Sequence, residues 1–210
     1  MTVDEKILDG LRADIVGKMS EKRARHTLEV EKMVSRLARL YAPEKENMLR
    51  AAALLHDITK EYKTERQLEL CAEYGIRISE TDLYAPKTFH ARTAAALIPK
   101  LYPELADEEL ISCVRYHTTG REGMTLTEKL VYLADYIDMS RTFPDCVALR
   151  EYFFDAHPEN MNVKERLEHL DRTLVLSYDM TVKGLMEDGS PVSEDTFRSR
   201  NELLIGLKKK

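Results

Sequence analysis

Turn formers are scarce in this chain. Eight glycines and seven prolines make up 7% of its 210 residues, against a usual share of about 12%. A many-stranded β fold needs more reversals than that, so long helices are favoured. The only cysteines, Cys71, Cys113 and Cys146, stand far apart, form no Cys-x-x-Cys pair and are odd in number. That excludes a disulfide scaffold and predicts a reducing compartment, the cytoplasm. No apolar run approaches the roughly 18 residues needed to span a bilayer. Asp4, Glu5 and Lys6 precede any apolar stretch, unlike a signal peptide, so no membrane partner is expected. Excess positive charge is missing too. The formal net charge is −5, so no global field draws nucleic acid, and a phosphate ligand needs a local device to hold it.

What is present is material for a core. Hydrophobic residues make up 43% and charged ones 33% of the chain, which rules out disorder. At about 150 residues per domain, the length predicts one domain over 1–210. Helical spacing recurs from end to end, with helices expected near 3–17, 20–41, 43–60, 64–75, 90–99, 107–117, 125–137, 144 onward, 162–189 and to Leu207. Thr64 is expected to cap the fourth of these. Asn162 with Glu165 forms a capping-box pattern, and Thr118-Thr119-Gly120 reads as a turn. Residues 76–89 carry no period and read as a loop with one short turn. The fold class is all-α, a bundle of about nine to ten helices.

Chemistry is signalled by four of the six histidines. His56-Asp57 follows five apolar residues, Ala51 to Leu55, on a predicted helix. An ionised carboxylate there costs several kcal/mol unless Arg, Lys or a metal pairs with it. Adjacent helical residues point about 100° apart, so only an ion beside the helix is shared by both. His26 lies on the inward stripe that continues through Val30, and Asp135 stands between Ala134 and Tyr136. His90 and His117 sit at predicted helix ends, where a loop can aim them at a ligand. A lone histidine on an apolar face is ordinarily a satisfied core residue. An ordered set of His, His-Asp, His, His and Asp, each on or beside a core helix, argues for a metal site. His157 and His169 have polar neighbours and are read as surface residues. Imidazole and carboxylate donors without thiolate suit iron, manganese, cobalt or zinc, as one ion or two.

That order of residues resembles the HD-domain superfamily of metal-dependent phosphohydrolases. Four local strings narrow the resemblance to the YqeK family of symmetrical diadenosine tetraphosphate hydrolases: Arg23-Ala24-Arg25-His26-Thr27, Leu55-His56-Asp57-Ile58-Thr59-Lys60, Arg115-Tyr116-His117-Thr118-Thr119-Gly120-Arg121 and Tyr132-Leu133-Ala134-Asp135-Tyr136-Ile137. It runs from about Ser20 to Asn201 and implies one HD domain, its core at about 20–140, with C-terminal helices at 144–207 closing a nucleotide site. It further implies iron held by His26, His56, Asp57 and Asp135. Arg23, Lys60, His90, His117, Thr118 and Arg141 would line the substrate site, which His26 and Asp135 also face. Glu194, Asp195 and Thr196 would close over the nucleoside. His90, His117 and Lys60 are the expected catalytic side chains. Three departures stand out: Ala91 replaces a usual Gly, Met139-Ser140 a usual Pro-Gly, and Glu194 a usual Pro. They are expected to touch the substrate side rather than the metal ligands.

The activity so implied is metal-dependent hydrolysis of a dinucleoside polyphosphate, diadenosine tetraphosphate, to two ADP. The alternatives are the same chemistry on a nucleoside monophosphate or guanosine tetraphosphate, or a metal-containing nucleotide sensor with weak catalysis. A homodimer is compatible with the sequence and not specified by it.

Overall fold

The scarcity of turn formers is realised as eleven α-helices joined by short connections, four of them with a 3₁₀ turn, and no strand among the described residues. The structure, a computed structural model, describes residues 3–209. The helices are α1 (Glu5–Val16), α2 (Glu21–Tyr41), α3 (Glu46–Leu55), α4 (Thr64–Glu73), α5 (Glu80–Leu83), α6 (Phe89–Leu101), α7 (Glu108–Tyr116), α8 (Leu126–Ile137), α9 (Pro144–Asp155), α10 (Val163–Glu187) and α11 (Glu194–Lys208). No helix among them is long and apolar enough to cross a membrane.

Helix α3 forms the centre, because Ala51 to Leu55 are apolar on every face and all five are fully buried. It packs against α1, α2, α7 and α8, while α7 also packs on α6. Helices α9, α10 and α11 pack in sequence on one side of α8. Capping residues start several elements where their side chains accept a backbone N–H: Asp4, Ser20, Asp107, and the capping boxes Thr125–Glu128 and Asn162–Glu165.

Several boundaries differ from expectation. The third helix ends at Leu55 rather than Lys60, and its start, Pro43–Lys45, is a 3₁₀ turn. Beyond it the chain tightens into three-residue turns, with amides of Ile58, Lys60 and Tyr62 donating to carbonyls of Leu55, Asp57 and Thr59. His56 and Asp57 therefore occupy the frayed end of a buried helix, where backbone geometry is free to aim both side chains. Helix α4 is preceded by Lys63, not capped by Thr64. The segment 76–89 contains α5, with its own capping box, and a 3₁₀ turn at Pro86–Thr88. Pro99 does not end α6, which runs two residues further and forgoes the i→i−4 bond that a residue with an N–H would make there.

The C-terminal helices are tied to the loop after His117 through Tyr178 and Thr196. The Tyr178 hydroxyl accepts from Ser199 at 2.8 Å and is buried against Met124 and Gly120. The Thr196 hydroxyl donates to the Thr119 carbonyl at 3.2 Å. His169, expected at the surface, is 7% exposed. Its ring stacks on Phe153 and its Nε2 bonds the Phe153 carbonyl at 2.9 Å, so the apolar neighbour that buries it comes from α9. His157 is exposed, as expected, in a left-handed backbone conformation.

Candidate metal centre

Four histidines from four parts of the chain converge: His26 on α2, His56 after α3, His90 at the start of α6 and His117 at the end of α7. Their tautomers are set by the backbone. Nδ1 of His56, His90 and His117 donates to the carbonyl three residues earlier, Ala53, Lys87 and Val114, at 2.5, 2.8 and 2.7 Å. Each therefore turns an unprotonated Nε2 inward, the arrangement that metal-binding histidines adopt. For His26 the outward nitrogen lies 3.3 Å from Ser140 Oγ and 3.2 Å from Asp138 Oδ2. Ser140 donates its hydroxyl proton to Asp138, so its oxygen is left to accept from His26.

Asp57 sits at the middle, 3% exposed. Its Oδ2 lies 3.3 Å from His56 Nε2 and 3.7 Å from His26 Nε2, and its Oδ1 lies 3.2 Å from His90 Nε2 and 3.8 Å from His117 Nε2. Asp135 Oδ1 adds contacts of 3.0 Å to His26 and 3.7 Å to His56. Yet His26 Nε2, His56 Nε2 and Asp57 Oδ1 are buried with no hydrogen-bond partner. His90 and His117 bring two Nε2 atoms within 3.0 Å of each other. The lone pairs of His56, His90 and His117 converge on Asp57 without protons between them, which fits an ion rather than a hydrogen-bond network. The residues therefore fit a metal in three overlapping groups, His26–His56–Asp57, His56–His117–Asp135 and Asp57–His90–His117.

Electrostatics agree. Burial holds His90 well below the usual imidazole range and His117 down at about 4, so both rings are neutral near pH 7 and their lone pairs are available. Burial also opposes charge on His26, but Asp135 and Asp138 outweigh it and raise it to about 9. Metal uptake at neutral pH thus has to displace a proton from His26. Burial works against the charge of Asp57, and the surrounding His56, His90 and Lys60 overcome it, holding the carboxyl well below its ordinary range.

Three cations ring the centre. Arg23 pairs with Asp57 at 2.5 Å and Arg141 with Asp135 at 2.5 Å. Lys60 Nζ lies 3.2 Å from His90 Nε2, and burial lowers its pKa. Arg23 Nε is buried without an acceptor, a donor left over for a ligand oxygen. Thr118 Oγ1, 3.1 Å from His90 Nε2, links the centre to a cavity of about 230 Å³. Tyr84, Lys87, Thr118, Leu185, Pro191 and Thr196 are among its walls.

The structure thus brings together Arg23, His26, His56, Asp57, Lys60, His90, His117, Thr118, Asp135 and Arg141, with Thr196 across the adjoining cavity. Glu194 and Asp195 are not in that group. Glu194 is exposed and pairs with Arg198 at 3.2 Å, and both residues line a different cavity. Ser140 is a further correction, because it touches His26, an expected metal ligand, rather than the substrate side alone. Asp138, fully buried at the end of α8, was not singled out by the sequence, and no motif marks it. It acts on His26 as a positioning residue. Asp138→Asn is expected to weaken metal affinity by about 10–100-fold, the usual cost of losing an outer partner of a metal-bound histidine. A competition titration against a chelator checks this, and unchanged affinity would show that Ser140 alone orients His26.

A convergent His/Asp centre on the helix termini of an all-α domain defines a metal-dependent hydrolase of the HD type. The HD domain family model matches residues 23–140, and the chain belongs to that family. Among its relatives, the symmetrical bis(5'-nucleosyl)-tetraphosphatase of Bacillus subtilis is 31% identical over 188 residues, covering 90% of this chain and 92% of the relative. The protein of the same name from Staphylococcus aureus is 32% identical over 138 residues, 66% of this chain and 70% of that one. The fold is similar to the crystal structure of a predicted HD superfamily hydrolase involved in NAD metabolism from Clostridium acetobutylicum. That match has a TM-score of 0.81 at 29% identity and covers 94% of this chain and 97% of the other.

Proposed function

We propose that this protein hydrolyses diadenosine tetraphosphate symmetrically to two ADP, with His26, His56, Asp57 and Asp135 holding iron. The observation that carries the reading is the set of inward Nε2 atoms around Asp57, ringed by three cations in an otherwise acidic chain. The near-full-length match to a relative named for symmetrical tetraphosphate cleavage supports the substrate. A bound divalent metal supplies charge neutralisation at phosphoryl oxygens and acidification of an attacking water. Mixed imidazole and carboxylate donors accept iron, manganese, cobalt or zinc alike, and the resemblance to the YqeK family is what points to iron. The three cysteines are free and buried, which supports a reducing, cytoplasmic setting.

The chain's own residues do the rest. Arg23, Lys60 and Arg141 bind the tetraphosphate and hold the scissile anhydride against the centre. Guanidinium forks match phosphate oxygens in pairs, and Arg23 Nε is already an orphan donor. The cavity behind Thr118 is below the roughly 300–1,000 Å³ of typical ligand pockets, so it takes one nucleoside and not the whole dinucleotide. Ser193, Thr196 and the C-terminal helices close that half. His90 and His117, held neutral, serve either a second ion or the phosphate itself. Two metal ions per chain by elemental analysis would assign them to the ion, and one ion per chain to the phosphate.

A turnover panel tests the substrate: diadenosine tetraphosphate, guanosine tetraphosphate and nucleoside monophosphates, each with metal-loaded protein. The dinucleotide is expected to give the highest kcat/KM, and faster turnover of a monophosphate would move the assignment. On the same panel Arg23→Ala, Lys60→Ala and Arg141→Ala should keep metal while losing kcat/KM by roughly 10–150-fold each, the value of one charge-assisted contact at about 1.5–3 kcal/mol. Wild-type kinetics in all three would place the phosphates elsewhere.

A further inference from the structure

A second cluster of arginines lies behind the metal centre. Arg92 is two residues after His90 on α6, and Arg115 is two residues before His117 on α7. Two positions along a helix turn a side chain by about 200°, so these arginines face away from the histidines. With Arg77 they line a separate cavity of about 310 Å³ whose other walls include Thr81 and Ser193.

Three carboxylates, Asp82, Glu194 and Asp195, line the cavity with the three arginines, but not every guanidinium is paired. Arg92, 7% exposed, forms a fork onto Asp82 at 2.7 and 2.9 Å, yet its Nε is buried without an acceptor. The Arg115 guanidinium makes no hydrogen bond or ion pair among the described residues; it lies 4.9 Å from the Tyr116 ring and feels the charges of Asp195 and Asp82 without touching them. Burial, and then the charge of Arg92, push its pKa down. The Arg77 side chain is likewise unpaired among them. Of the carboxylates, Asp82 is taken by Arg92 and Glu194 by Arg198, which leaves Asp195. Two unpaired guanidiniums thus face one unpaired carboxylate. Ser193 precedes the first turn of the 15-residue α11 without a side-chain cap, so free helix N–H groups also open there.

We propose that this cavity is a second anion site that binds a phosphate group, held by Arg77, Arg115 and the start of α11. Arginine forks and helix N-termini are complementary to a tetrahedral oxyanion. Ser193 also lines the cavity beside Thr118, so an anion here bears on a wall of the proposed nucleoside pocket. The phosphate is either inorganic or the tail of a nucleoside diphosphate.

Calorimetric titration of the full, metal-loaded chain with inorganic phosphate, and separately with ADP, tests the proposal. Two phosphate-binding events are expected in the wild type, one of which Lys60→Ala removes. Arg115→Gln and Arg77→Gln should each weaken the other event by about 10-fold or more. Arg77 is exposed, so its variant keeps the fold and decides the matter even where Arg115→Gln does not fold. An Arg77-dependent event at least tenfold tighter for ADP than for phosphate identifies the nucleotide tail as the source, and equal affinity identifies inorganic phosphate. Titrations of both variants indistinguishable from wild type, or a single event lost entirely with Lys60→Ala, would overturn the second site.

Discussion

Asp57→Ala is expected to leave a protein that neither retains metal nor turns over substrate. Two of the three candidate ion groups contain Asp57, one through each carboxylate oxygen, and the third, His56–His117–Asp135, is left without the carboxylate that joins the other two. Outer partners of metal ligands cost about 10–100-fold, and removing the shared ligand itself should exceed that range. Stability should fall as well, for two reasons. Metal binding stabilises the folded chain by mass action, about 4 kcal/mol at a thousandfold excess over Kd. Without the carboxylate, Arg23 also loses its buried partner and Lys60 its nearest anionic field. Elemental analysis and a thermal melt with and without added metal check both points. Full metal occupancy in the variant, with a metal-dependent melt, would show that Asp57 is structural.

The second large effect is expected away from the metal. Gly120→Ala should lower the melting temperature steeply. Gly120 has φ +66°, and a Cβ there would clash with Tyr178 Oη and meet Ser199 Oγ at 3.0 Å. The left-handed conformation costs a non-glycine residue roughly 1–2 kcal/mol, and overpacking a buried site adds about 1–3 kcal/mol. The sum, roughly 2–5 kcal/mol, corresponds to about 4–20 °C for a chain of this length. Tyr178→Phe removes the atom that clashes hardest, so the Gly120→Ala/Tyr178→Phe pair should recover part of the loss. No recovery would mean that backbone conformation alone demands the glycine. Activity should fall with stability, because the displaced loop carries Thr118 and the Thr119 carbonyl that anchors Thr196.

The glycine also shows why parts of this molecule were readable and others were not. His26, His56, Asp57, His90, His117 and Asp135 were legible because polar groups placed among or beside apolar helical residues demand a partner. The fold followed from helical spacing and from caps such as Thr125–Glu128. Asp138 and Ser140 were hidden because their role depends on a loop returning to a histidine 114 residues away from Ser140, a contact no local pattern encodes. Glu194 and Asp195 were placed by resemblance beside the nucleoside, whereas the turn into α11 directs them to the arginine cluster. His169 looked exposed because its sequence neighbours are polar, but burial is set by α9 packing across it. The turns from His56 to Lys60 were read as helix, since tightened three-residue turns carry nearly the same spacing of apolar residues.

Where the bond breaks tests the central claim most directly. A site that holds one ADP half against Arg23, Lys60, His117 and Thr118 leaves the inner phosphorus of that half at the centre, with the other half departing in line. Water adds to that phosphorus, the central bridging P–O bond breaks, and the departing ADP keeps the bridging oxygen. Hydrolysis of diadenosine tetraphosphate in ¹⁸O-enriched water, followed by mass spectrometry, should yield only ADP, with one labelled oxygen shared between the two molecules formed. AMP and ATP as products would contradict symmetric cleavage.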